Sequence, residues 1–226
     1  YDSPSSDYDI VDKSPFKRDP MKEIADACHR HGIKLGFYYS LGRDWEDPDA
    51  RTAWPTKGGR SNTWDYPDED AKVFSKYYER KVKPQVTELV SRYGRVDIMW
   101  FDTFGLTTRA QSAELRRIIH KHQPWCIINN RIGNGMGDYL TREQNIGGAR
   151  SKPWESCVTM ARHWNYDRDE KGQYKSAELL MHQLLEISSK GGNYLLNTGP
   201  KASGAITQEA MERLRAIGEW MKINGE

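Results

Sequence analysis

Short apolar runs recur along the chain, separated by stretches with helical periodicity. KLGFYYS (34–40), VDIMWFD (96–102), WCIINNR (125–131) and NYLLNTG (193–199) are each too short for a typical helix, rich in β-branched or aromatic residues, and bounded by turn formers. They read as buried strands. WESCVTM (154–160) is a weaker fifth. Near-continuous apolarity fits strands covered on both faces, as in parallel sheets.

The intervening segments read as helices. Asp19-Pro20 supplies an N-cap and a first helical residue, Ile24, Ala27, Cys28 and His31 share a face, and Gly32 ends the pattern. Residues 69–93 place Val73, Tyr77, Val86, Leu89, Val90 and Tyr93 inward, with Pro84 kinking or splitting the helix. Residues 110–122 and 176–189 follow, the latter closing at Gly191-Gly192. Thr207 caps the last helix, where Leu214, Ile217, Trp220 and Met221 form an apolar stripe.

Strands alternating with helices imply a parallel α/β fold. No strand is followed by a G-x-G-x-x-G or G-x-x-x-x-G-K-[ST] loop, which lowers a nucleotide-binding reading. A (β/α)8-like, TIM-type barrel is the better expectation. Such a barrel typically needs about 250 residues, whereas this chain has 226 and about five visible strands. Residues 1–226 are therefore expected to be a single catalytic barrel domain that is partial, lacking its first strands.

A net charge of +2 gives no reason to expect nucleic acid or an anionic membrane as partner. The three cysteines are too few and scattered for a disulfide scaffold or a zinc site, and read as buried thiols. There is no 18-residue apolar run. The first residue is Tyr1, not Met, so a processed or cut product is expected and the lack of a signal peptide says little about compartment.

In barrels, working side chains stand at the C-terminal ends of strands. Here those ends carry Tyr38, Tyr39 and Ser40, followed by Arg43, Asp44 and Trp45; Trp100 and Asp102; Asn129, Asn130 and Arg131, with Asp138 and Glu143 in the loop beyond; Trp154 and Glu155, then His163, Trp164 and Tyr166; and Asn197 and Thr198. Carboxylates, aromatic rings and planar hydrogen-bonding groups suit a sugar, and glycoside hydrolysis uses two carboxyl groups. No metal-like histidine cluster accompanies them, and no cofactor is expected. Taken alone, Asp102 is equally well a turn former. Asp97, inside a strand, reads as a salt-bridged structural group, and tryptophans more often pack a core than hold a ligand.

Six segments then appear in order: SDYDIVDKSPFKRDPMKEIADACHRHGIKLGFYYSL at the start, WFD (100–102), NNRIG (129–133), TREQ (141–144), WES (154–156) and SSKGGNYLLNTGP (188–200). Together they resemble the catalytic domain of α-L-fucosidases of glycoside hydrolase family 29, over nearly the whole chain. The resemblance implies a retaining mechanism on an irregular (β/α)8-like barrel. It implies Asp102 as nucleophile and Glu143 as acid/base, although Arg142 stands where the family's T-P-E motif has proline; Glu155 is the fallback. Tyr38, Trp100, Arg131 and Trp164 are the implied sugar contacts.

The family's His-His-Asp-Gly motif precedes the matched region and its β-sandwich follows it, so the resemblance implies a chain lacking both. A fucosylated oligosaccharide or glycoconjugate is the implied partner, and a periplasmic or extracellular site the implied location. Two other readings stay open: a truncated, non-catalytic fucose- or glycan-binding homologue, and a barrel glycosidase acting on a similarly configured sugar such as galactose. The segment WPTKGGRSNTWDYP (54–67) is expected to shape the leaving-group side.

Overall fold

The computed structural model describes residues 1–51, 61–149, 151–169 and 173–225. It divides into two compact units, Tyr1–Asp138 and Tyr139–Glu226.

The first unit opens with helix α1 (Pro20–Arg30). Asp19 caps it by accepting the N–H groups of Met21 at 3.0 Å and Lys22 at 3.3 Å, donors the helix cannot satisfy itself. Its second oxygen accepts the Tyr93 hydroxyl at 2.6 Å. Gly32, with φ +66°, follows the helix as expected. The buried face differs from the one the sequence indicates. Met21, Ala25 and Cys28 meet the core, while Ile24 is 58% exposed and His31 lies outside. The i, i+4, i+7 row that meets the core is offset from the 24–27–28–31 row.

Strands β1 (Gly36–Ser40) and β2 (Ile98–Asp102) pair in parallel with Tyr38 opposite Trp100 and Ser40 opposite Asp102. Between them run helix α2 (Phe74–Tyr77), a π-helical turn (Tyr78–Val82) and helix α3 (Lys83–Arg92). Pro84 does not break the path. It has no N–H for an α-helical bond, and the hydrogen-bond register widens just before it. Tyr77, Val86, Leu89, Val90 and Tyr93 are buried as expected, but Val73, ahead of the helix, is 40% exposed. Helix α4 (Arg109–His122) starts at a capping box in which Thr108 and Gln111 bond each other's backbone. Strand β3 (Ile127–Ile128) then pairs with β2. It is far shorter than the expected 125–131, because the chain turns away after Asn129 into a 3-10 turn, Asn130–Ile132.

Full coverage of both strand faces, expected from the apolar runs, does not hold in this unit. Phe37, Tyr39, Met99, Phe101 and Ile128 face a core built with α3 and α4, whereas Tyr38 is 55% and Ile127 46% exposed. The run is apolar throughout, but Tyr38, Trp100 and Asp102 alternate onto the face away from that core.

The second unit contains β4 (Leu140–Glu143), β5 (Trp154–Thr159), helix α5 (Ala177–Ser189), β6 (Gly192–Asn197) and helix α6 (Gln208–Asn224). All three strands are parallel, with β5 in the middle. The weaker fifth run is thus the central strand, and β4 lies where a loop was expected. LTRE carries no apolar pattern of its own and becomes a strand by pairing with β5. Gly192 is required beside Trp154: a Cβ there would lie 2.5 Å from the indole ring. Met160, Leu180 and Ala210 form a small core with Leu196, Ile206 and Ile217 around it. The α6 stripe is only partly used, since Leu214 is 41% and Met221 40% exposed.

Among the described residues the strands pair as two three-stranded parallel sheets. The α/β class is as read, and closure into a (β/α)8-like barrel goes beyond this pairing. Cys126 and Cys157 are buried thiols and Cys28 is half-buried, with burial pushing Cys126 up to about 12. Asp97 bonds the Arg95 guanidinium at 2.8 Å, the structural role expected of it. No helix among the described residues is long and apolar enough to cross a membrane. Residues 54–60 of the leaving-group segment lie outside the described residues, and Ser61–Trp64 forms a 3-10 turn.

Candidate active site

A polar cluster on the open face of the first sheet centres on Asp102, the last residue of β2. Arg131 Nη1 donates to Oδ1 at 2.6 Å, and the Tyr38 hydroxyl donates to Oδ2 at 2.8 Å. The Arg131 side chain is only 9% exposed, against 27% for Asp102, so this ion pair sits where water competes weakly. Each carboxylate oxygen keeps a further acceptor position beyond these bonds.

Trp100 joins the same group. Its ring stacks on Tyr38, centroids 5.5 Å apart, and the Arg131 guanidinium lies over it at 4.9 Å. Burial, together with the Asp102 charge, pushes the Tyr38 phenol above its ordinary range, so its hydroxyl remains a donor. Four residues named from sequence (Tyr38, Trp100, Asp102 and Arg131) are thus brought together.

Two residues that build this geometry were not read correctly from sequence. Thr103, directly after Asp102, has φ +50°, a left-handed conformation unusual for a β-branched residue. Its hydroxyl meets Ser40 Oγ and accepts the Gly42 N–H, both at 2.7 Å, locking the ends of β1 and β2 together. Asn129, read as a sugar-facing group, is fully buried. Its side-chain amide accepts from the Phe101 N–H and donates to the Phe101 carbonyl, each at 2.9 Å. It continues the ladder where β3 leaves the sheet, holding the backbone just before Asp102. A tight turn formed by a residue with positive φ leaves no signal in a sequence pattern. A strand-end asparagine looks the same whether it faces ligand or core.

The second unit carries the remaining named residues. Glu143 is the C-terminal residue of β4, opposite Cys157, and its side chain is exposed. It therefore stands at a strand end and not in a loop. Glu155 is the second residue of β5, near that strand's N-terminal end, and accepts the Thr141 hydroxyl at 2.8 Å. Its position fits a sheet-internal hydrogen bond better than work at a strand end.

Trp164, 37% exposed, lies in the loop after β5. That loop approaches the end of β6 closely, since a Cβ on Gly199 would come within 2.6 Å of the Tyr166 nitrogen. His163 pairs with Asp167 at 3.3 Å in the same loop. No group of three or more metal-ligating side chains occurs among the described residues.

A family model described as Alpha-L-fucosidase matches residues 1–226. The plasma alpha-L-fucosidase of Rattus norvegicus is 32% identical over 98% of this chain and 48% of its own length. Alpha-L-fucosidase AlfC from Lactobacillus casei, solved with alpha-L-fucose product, superposes with a TM-score of 0.90 at 32% identity, covering 100% of this chain and 71% of its own. A substituted form of AlfC, solved with a 4-nitrophenyl-α-L-fucopyranoside substrate, gives the same TM-score of 0.90. The chain spans about half the length of the curated relatives it matches.

Proposed function

The chain belongs to the alpha-L-fucosidase family, and on that premise we propose that it is the catalytic part of a retaining α-L-fucosidase that releases fucose from fucosylated glycans. The single observation that carries the reading is the Asp102 carboxylate, placed at a strand end and held by Arg131 and Tyr38 beside the Trp100 ring. The binding of a fucoside substrate and of fucose by AlfC supports the choice of sugar.

In the proposed reaction an Asp102 oxygen attacks the anomeric carbon, and Glu143 gives its proton to the departing glycosidic oxygen. The C1–O bond to the leaving group breaks and a fucosyl ester to Asp102 forms. Glu143, now a carboxylate, takes a proton from water as that water attacks C1. Asp102 then leaves as a carboxylate. Arg131 and Tyr38 matter most in this second step, because both donate to the oxygens on which negative charge reappears. Trp100, with Tyr38 stacked on its ring and the Arg131 guanidinium over it, is assigned as a sugar contact that also steadies both donors to Asp102, and Trp164 is assigned to the side of the sugar's methyl group.

The proposal includes a (β/α)8-like barrel, with residues 1–226 forming part of one catalytic domain, and a periplasmic or extracellular working place. Proton NMR of the first-formed sugar tests the stereochemistry. Retention requires α-L-fucose to appear first and the β anomer to grow in by mutarotation. A β-first product overturns the double-displacement scheme.

A further inference from the structure

We propose that the first unit carries a second carbohydrate site: an open cavity of about 290 Å3 lined by Tyr8, Trp45, Glu46, Asp65 and Tyr66, which takes a neutral hexopyranose ring from the leaving-group side of the glycan. Only the identification of that ring with the leaving group rests on the proposed function. The volume stands near the small end of ligand pockets, which begin at about 300 Å3. Three aromatic rings offer flat apolar surfaces to the C–H faces of a pyranose, and two carboxylates accept its hydroxyls. Tyr8 and Trp45 are each 59% exposed, so both rings are open to a ligand. Among the described residues no cationic side chain lines the cavity; Glu46 is already paired with Lys81, and the exposed Asp65 carboxylate would repel an anionic sugar.

The walls are tied to one another before any ligand arrives. The Asp44 carboxylate accepts the N–H groups of Glu46 and Asp47, both at 2.9 Å, which shapes the loop around Trp45. Lys81 bonds Asp44 at 2.9 Å and Glu46 at 3.0 Å, and Arg80 grips Asp47 at 2.6 and 3.0 Å. Both cations come from the π-helical turn before Pro84, a backbone irregularity often found at functional sites.

The second wall is joined to the first by buried Asn62. Its amide donates to the Asp47 carbonyl at 2.5 Å, its own carbonyl accepts the Tyr66 N–H at 2.9 Å, and Lys72 bonds its Oδ1 at 2.7 Å. Ser6 joins the third, donating to Glu46 at 3.1 Å and accepting the Tyr8 N–H at 3.1 Å. Asp47, Asn62 and Lys72 are all buried polar groups held by these bonds, and walls fixed in this way lose less freedom when a ligand binds. The loop also connects to the reacting end of the sheet. It leaves Ser40, and its Gly42 N–H is held by Thr103, the neighbour of Asp102.

The test titrates the unaltered chain, Trp45→Ala and Tyr66→Ala with N,N′-diacetylchitobiose, following indole N–H signals by NMR, with glucuronic acid as the anionic control and circular dichroism as the fold check. The site predicts saturable binding that weakens about tenfold or more in either variant, and no saturable response to glucuronate. Absence of saturation, equal binding by glucuronate, or affinity unchanged in both variants overturns it. Kinetics then place the ring. Trp45→Ala should lower kcat/KM for a fucosyl-N-acetylglucosamine disaccharide about tenfold, leaving that for α-L-fucosyl fluoride, which has no leaving-group sugar, unchanged. Equal losses on both substrates overturn the leaving-group assignment. If the unaltered chain does not hydrolyse fucosyl fluoride, the proposed function fails, while the sugar titration still decides whether the site exists.

Discussion

Asp102 is held on both oxygens, and the two donors differ in kind. Arg131 contributes charge and a fixed planar geometry, whereas Tyr38 contributes a single neutral O–H. A hydrogen bond to a charged group is worth about 1.5–3 kcal/mol. Tyr38→Phe should therefore reduce kcat on a fucoside roughly 10- to 100-fold, with a smaller change in KM, as measured by steady-state kinetics. Because the Tyr38 phenol is pushed upward, it stays protonated through the neutral and mildly alkaline range. No alkaline loss of activity below about pH 10 should trace to it. An alkaline limb that disappears in Tyr38→Phe would contradict this.

Thr103 acts one bond away from that chemistry. Its hydroxyl satisfies the buried Gly42 N–H while its backbone sits in the left-handed region. Thr103→Val keeps the shape, removes the acceptor, and should cost about 1–3 kcal/mol in denaturant unfolding. Thr103→Ser keeps the oxygen and should recover most of both stability and activity. If Ser and Val behave alike, the hydroxyl is not what joins the two strand ends.

Among elements, β1 and β2 could be read from the sequence because their apolar runs end in turn residues and polar groups. For the same reason Tyr38, Trp100 and Asp102 could be placed at strand ends before any coordinates. β4 could not be read, since Thr141, Arg142 and Glu143 carry no apolar alternation and their strand exists only through pairing with β5. The short β3 was overextended because Asn129 supplies side-chain bonds where backbone bonds would otherwise continue. The π-helical turn is equally silent, as a proline predicts a disruption without saying which kind.

Helix α1 offers a test at this scale. Burial alone would raise the Asp19 carboxyl, but bonds from Tyr93 and the first-turn N–H groups outweigh it and hold the pKa below its ordinary value. A carboxylate lowered in the folded state stabilises above its unfolded pKa, near 3.9, and loses that contribution as pH falls through the folded value. Asp19→Ala should cost about 1 kcal/mol at pH 7, with the gap to the unaltered protein narrowing below about pH 4. A gap independent of pH would show that the carboxylate charge is not involved.

At the scale of the whole molecule, α/β alternation and parallel pairing follow from the order of runs and helices, and both are present in each unit. What composition excluded was also informative, because a net charge of +2 and the absence of phosphate-binding loops left a neutral, aromatic-lined chemistry as the reading. The pairing of Asp102 with Arg131 was beyond reach, since one residue ends β2 and the other lies in the turn after β3, and only the fold joins them. Glu143 was named through a family motif and not through its surroundings, so its role stands or falls with catalysis itself.

The most direct test of the account is the rate of 4-nitrophenyl α-L-fucoside hydrolysis by the unaltered chain and by Asp102→Ala, with and without azide. The account predicts turnover by the unaltered chain and a loss on the order of 10³-fold or more in the variant. Azide should restore part of the rate by forming β-L-fucosyl azide from the face that Asp102 no longer occupies. An unaltered chain without activity, or a variant that keeps a near-normal rate, would contradict it.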